Sequence, residues 1–198
     1  VLGVATVAYV VFHYAFHWAV WLPRLAPGPG HAANQARAVH IQRAGGVLCL
    51  GVVPGLVASA LPDGPTGVGL GLADPAAALG AVAAVLVIVL PVVARSASRP
   101  GFWEHYPQIR SRVWDQGLHL RNALGWGAYL LAYEFFFRGF LLFTLASWLG
   151  AWPAIAITTL AYVYAHLPKP HAGETAGTVP MGVLFAVMAL DSGGIWGP

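Results

Sequence analysis

Charge is what this chain has least of. Only 9% of its 198 residues are Asp, Glu, Lys or Arg, against 58% hydrophobic residues, whereas soluble globular domains carry about 25% charged residues. That balance excludes an ordinary water-soluble domain and points to an integral membrane protein. Cysteine is nearly absent as well. Cys49 stands alone, which rules out a disulfide framework and a cysteine metal cluster. No basic face interleaved with stacking residues appears, so nucleic acid is not among the expected partners. Period-2 alternation is missing too, and the apolar runs exceed the roughly 9–11 residues of a barrel strand. The fold class expected is therefore all-α, a multi-pass transmembrane helical bundle.

What the chain does have is long apolar runs. Crossing a hydrocarbon core of about 30 Å takes around 20 helical residues. Runs of that kind extend over Val1–Leu22, Gly45–Leu61, Pro75–Ala94 and Ala123–Leu149, with two shorter ones at Trp152–His166 and Gly177–Leu190. About six spans are predicted. Val1–Leu22 is too long for the apolar region of a signal peptide and lacks a basic leader, so it reads as a first span. The sequence opens inside an apolar run and stops at Pro198 just after a Ser192-Gly193-Gly194-Ile195-Trp196 turn. Continuation beyond both ends is the expectation.

The scarce charges are sorted. Arg24, Arg37 and Arg43 fall before the second run, Arg95, Arg99, Arg110, Arg112 and Arg121 before the fourth, and Lys169 before the sixth. The alternate connections hold Asp63 and Asp74 but neither Lys nor Arg. By the positive-inside rule the basic loops are cytoplasmic and Val1 lies outside. A plasma membrane, bacterial on the weak signal of the Ala/Gly-rich composition, is the expected location. Between Arg95 and Asn122, the residues Phe102, Trp103, Tyr106, Ile109, Val113, Trp114 and Leu118 recur at roughly helical spacing among the arginines. This spacing predicts a cytoplasmic interfacial amphipathic helix against membrane lipids. Three regions follow: N-terminal transmembrane helices over 1–94, the amphipathic loop or helix over 95–122, and core helices with the functional residues over 123–198.

Inside the fourth run, Ala-Tyr-Glu-Phe-Phe-Phe-Arg-Gly-Phe (Ala132 to Phe140) holds Glu134 and Arg138. An ionisable group within a membrane helix costs roughly 2.5–3.5 kcal/mol even on lenient scales, so it marks a functional site by default. Four residues apart and acid first, the two can pair along one helical face. Their structural alternative is mutual neutralisation. If the span ends at Leu149, Glu134 lies about 8 Å inside its cytoplasmic end, within reach of water. On the next helix His166 lies at the same end and shares a face with Tyr162. A carboxylate and an imidazole at matched depth can hold a water and take its proton. His13 and His17, also at i, i+4 spacing, are metal-ligand candidates for which a structural role is favoured. His171 and Glu174 are candidates for the mouth of the site, and Asp191 for a contact with Arg138.

Glu134-Phe-Phe-Phe-Arg138-Gly139, then Tyr162-x-x-x-His166 with Leu167-Pro168-Lys169-Pro170, then Glu174-Thr175 and Asp191-Ser192-Gly193-Gly194-Ile195-Trp196 together resemble the CPBP family of intramembrane proteases. That family includes CAAX prenyl endopeptidases and bacteriocin-immunity proteins. The resemblance covers about Arg95 to Pro198. It implies an intramembrane endopeptidase that hydrolyses a peptide bond with glutamate-activated water, acting on a peptide or protein substrate. It assigns Glu134 to the second glutamate of Glu-Glu-x-x-x-Arg, Arg138 to the arginine, Tyr162 to the aromatic position and His166 to the histidine. Tyr133 and Glu174 would line the site. Cofactor use stays open, with a divalent metal as the one candidate. Tyr133 departs from the family by replacing its first glutamate, and a third motif, His-x-x-x-Asn/Asp, does not occur before Pro198. The alternative is thus a non-catalytic immunity or scaffold protein of the same fold. A solute carrier is disfavoured because the helices show no matching broken halves.

Overall fold

The computed structural model describes residues 1–17, 31–71, 74–98, 102, 106–167 and 172–196. Among these, all regular structure is helical, arranged as six rods. Helix α1 (Leu2–Val11) runs into a π-helical turn, Phe12–Phe16. Helix α2 (His31–Gly46) continues through a π-helical segment, Val47–Val52, into α3 (Val53–Ser59). A 3₁₀ turn, Gly64–Val68, follows. Helix α4 is Pro75–Ala97. Helix α5 (Gln116–Glu134) passes through a third π-helical segment, Phe135–Leu141, into α6 (Leu142–Leu149). Helices α7 (Ala151–His166) and α8 (Ala172–Ser192) complete the set. The six apolar runs thus each become one rod. Two rods begin earlier than hydropathy indicates, since α2 includes Arg37 and Arg43, and α8 starts at Ala172.

Three rods are long and apolar enough to cross a membrane, at Gln35–Ser59, Ala78–Ala97 and Gln116–Leu149. Helix α4 makes the case most directly. Leu79, Leu86, Val87, Leu90 and Val92 are all exposed, Val87 by 74%. At about 25 cal/mol per Å² of apolar surface, a helix apolar all round is stable only when covered by something other than water. Lipid is that cover, and the protein is an integral membrane protein.

The amphipathic helix expected over 95–122 does not form as a whole. Tyr106–Asp115 is non-helical, and Ile109 is buried rather than turned to a surface. Two physical causes account for this. Pro107 has no N–H to donate and disfavours the helical conformation at Tyr106. Asp115 then caps α5, its Oδ1 accepting the Leu118 N–H at 2.6 Å, so the helix starts after it. Trp103 lies outside the described residues.

The chain divides into two compact units, one made of Val1–Leu2, Pro54–Val87 and Glu134–Pro198, the other of Gly3–Val53 and Ile88–Tyr133. In the first, the turn at Gly150, φ +84°, folds α7 back along α6. Leu142 and Leu145 interlock there with Ala154 and Ile155 of α7 and with Ala186 and Ala189 of α8. The segment 64–71 packs into the same unit by its backbone. The Ile195 N–H donates to Gly69 O at 2.9 Å, and Trp196 Nε1 donates to Leu70 O at 3.3 Å. In the second unit, α2 and the π-helical segment after it meet α5 at small residues, Gly46 against the Tyr129 ring and Gly51 against Ala132.

Candidate active site

The π-helical segment Phe135–Leu141 is the structural centre of the site. Such segments are rare and occur frequently at functional positions. Here Phe135, Phe136, Phe137, Arg138, Gly139 and Phe140 are all buried in succession, so the chain is enclosed on every side at this level. Arg138, 2% exposed, heads the fully buried side chains by volume among the described residues.

Arg138 organises what surrounds it. Its Nε lies 3.4 Å from Glu134 Oε2, the i, i+4 pair anticipated from sequence. That contact is an ion pair without good hydrogen-bond alignment, for both atoms lack a hydrogen-bond partner, as do Nη1 and Nη2 of Arg138. The guanidinium instead stacks on the Tyr162 ring, 3.8 Å from its centroid, with Phe185 farther off at 5.7 Å. Desolvated cation–π contacts contribute about 2 kcal/mol or more, so the ring offsets part of the cost of burying the charge. The Glu134 side chain keeps 21% exposure. It is the open end of the pair.

Tyr162 passes the arrangement on to His166. Their rings lie 4.5 Å apart, and Nδ1 of His166 is 2.9 Å from Tyr162 O. A carbonyl only accepts, so Nδ1 carries the proton in this hydrogen bond, and in the neutral ring the lone pair is on Nε2. His166 is buried at the end of α7. Glu134, Arg138, Tyr162 and His166 thus form one chain of contacts across two helices. The hairpin at Gly150 produces it, because residues equally far from the turn, such as 138 and 162, come opposite each other.

Other sequence candidates fall elsewhere. Tyr133 is buried with its ring 5.8 Å from that of Tyr129. Asp191 is exposed near the end of α8, and the acidic partner of Arg138 is Glu134. His13 and His17 have ring centroids 5.6 Å apart. His171 and the side chain of Glu174 lie outside the described residues. Sequence reasoning missed Phe137 and Phe185. Phe137 packs edge-on against Tyr162 at 5.5 Å. Both stand in apolar runs, and only their contacts with Tyr162 and Arg138 distinguish them.

A divalent metal was the open cofactor candidate. Among the described residues no three His, Cys, Asp or Glu side chains gather to hold a metal ion. Glu134 and His166 alone do not make such a site.

Comparison with known proteins places this geometry. Residues 122–198 match the family model of the type II CAAX prenyl endopeptidase Rce1-like proteins. Searches of curated proteins and of solved structures gave no match. The matched stretch holds both motif helices and every member of the contact chain, so over residues 122–198 the chain is similar to the Rce1-like endopeptidases that its motifs resemble.

Proposed function

We propose that the protein hydrolyses a peptide bond of a protein substrate near the cytoplasmic face of the membrane, with Glu134 as general base. The observation that carries this reading is the buried Glu134–Arg138 pair, joined through Tyr162 to His166 within the segment matched to an endopeptidase family. Glu134 takes a proton from water, and the water oxygen attacks the scissile carbonyl. The same carboxyl then returns the proton to the leaving amide nitrogen. Arg138 favours the ionised carboxylate and holds it in place. Neutral His166, with Nδ1–H committed to Tyr162 O, accepts a hydrogen bond from that water at Nε2. As an imidazolium it would donate from Nε2 to the oxyanion.

General-base catalysis contributes about 10²–10⁴-fold. Cleavage of a membrane-tethered peptide is expected to fall by that order in Glu134→Gln and to fall in His166→Ala. Unchanged cleavage in both variants sinks the proposal. One observation favours a second reading, a non-catalytic immunity or scaffold protein. Tyr133 occupies the position of the family's first glutamate, and a phenol of pKa near 10 is a poor base at neutral pH. A wild type without activity that gains it on Tyr133→Glu would select that reading.

A further inference from the structure

Arg43 is a second buried arginine, in the other unit, and its neutralisation is unexplained. It is 3% exposed. Nη1 donates to Asn122 O at 3.2 Å and to Asn122 Oδ1 at 2.9 Å, Nη2 reaches Gln108 Oε1 at 3.4 Å, and the guanidinium lies 4.8 Å from the Trp126 ring centroid. Every one of these partners is neutral. They satisfy donors and leave the full positive charge, since an arginine does not deprotonate in proteins. Elsewhere in this protein a buried guanidinium has a carboxylate, as Arg138 has Glu134. Among the described residues of this unit the one acid is Asp115, and its carboxylate caps α5.

Arg121 adds positive charge near Arg43, while burial and these two arginines push the His40 imidazole below its usual range and keep it neutral. The Arg43 Cδ and the His40 Nδ1 both come to about the same spot beside Gly125, at 3.7 and 4.0 Å from where a Cβ would stand. Arg121 is one helical turn before Gly125, and both Arg43 and Arg121 act electrostatically on His40. His40 is half-buried and Arg121 exposed, so the cluster has a closed floor and an open side. Buried charge without a counter-charge costs several kcal/mol, and adding a like charge raises that cost. An anion from outside the chain removes it. The depth is right for a headgroup, because Arg43 and Arg121 each stand two residues ahead of the apolar runs that begin at Gly45 and Ala123.

We propose that His40, Arg43 and Arg121 form a binding site for a phosphate group, with Arg121 and His40 as direct donors and Arg43 as the charge beneath them. Arginine forks match phosphate oxygens in geometry and charge. Both an anionic phospholipid headgroup and free inorganic phosphate present that chemistry. The three basic residues lie outside the segment matched to the endopeptidase family, and the site does not depend on the proposed catalysis.

The test is the melting temperature of the full chain in detergent, followed by tryptophan fluorescence, because a ligand that binds the folded state raises it by mass action. Phosphatidylglycerol, phosphatidylcholine and sodium phosphate against chloride of equal ionic strength are the probes. Phosphatidylglycerol is expected to raise the wild-type value and phosphatidylcholine to leave it. In the double variant His40→Gln, Arg121→Gln the concentration needed for the same shift is expected to rise by about tenfold or more, as for the loss of one or two charge-assisted hydrogen bonds. The variant Arg95→Gln, Arg112→Gln, which neutralises exposed arginines elsewhere, is expected to respond like wild type. A shift with phosphatidylglycerol alone assigns the lipid as the source, and one with sodium phosphate assigns the free anion. An unaltered response in the first double variant, an equal loss in the second, or no response to either phosphate probe overturns the proposal.

Discussion

Arg138 and Glu134 are unequal partners, and the inequality has a measurable consequence. The guanidinium is 2% exposed and the carboxylate side chain 21%. Removing the acid leaves a charge that cannot reach water, whereas removing the base leaves an acid that can be hydrated or protonated. Breaking a buried pair from the side that strands a charge costs about 3–5 kcal/mol. Glu134→Gln is therefore expected to lower thermal stability more than Arg138→Met, which keeps the volume of the arginine stem. The opposite order in thermal denaturation would mean that the pair is not closed around Arg138. Tyr162 permits a second prediction. Its ring and its carbonyl are what Arg138 and His166 use, and neither contact requires the hydroxyl. Tyr162→Phe is expected to retain most activity and stability, while Tyr162→Leu loses the cation–π contact, about 2 kcal/mol, along with the seat of the His166 ring. Equal loss in both variants would transfer the role to the phenol oxygen.

At the scale of elements, the site depends on how closely segment 64–71 approaches the π-helical turn. A Cβ on Gly139 would stand 2.7 Å from Val68 O and 3.1 Å from Ile195 Cγ2, and one on Gly194 would stand 2.5 Å from Gly71 O. Those neighbours include backbone, which cannot swing aside. Gly139→Ala and Gly194→Ala are expected to destabilise by about 1–3 kcal/mol, as overpacking does, and Gly139→Ala to lower activity through its neighbour Arg138. Gly127→Ala on α5, where a Cβ meets nothing within 4 Å, is the control and should be neutral in the same melting assay. None of this docking was legible in the sequence. The rods themselves were, because the length of an apolar run sets the length of a membrane helix. The i, i+4 pairing of Glu134 with Arg138 was legible for a similar reason, being local geometry. The π-helical turns leave no mark in hydropathy. The aromatics between Phe102 and Leu118 imitated a helical period that Pro107 and the Asp115 cap interrupt. Arg43 was read as a loop charge, because its partners Asn122 and Gln108 lie 79 and 65 residues away and no local pattern anticipates them.

For the whole molecule, direction across the membrane follows from where the charges are held. Arg110 and Arg112 are exposed on the segment before α5, and Arg121 within its first turns. The connection between α3 and α4 instead holds Asp63 and Asp74, both exposed, with no Lys or Arg. Short connections with Lys and Arg are retained preferentially on the cytoplasmic side, so the two connections are expected on opposite sides of the membrane. Labelling distinguishes them. With Cys49→Ser as the background, Val113→Cys, at a side chain 74% exposed, is expected to resist a membrane-impermeant thiol reagent in intact cells and to react once the membrane is opened. Asp63→Cys is expected to react in intact cells. Reaction of Val113→Cys in intact cells, with Asp63→Cys protected, would reverse the topology and move the proposed cleavage to the outer face, without altering the chain of contacts from Glu134 to His166.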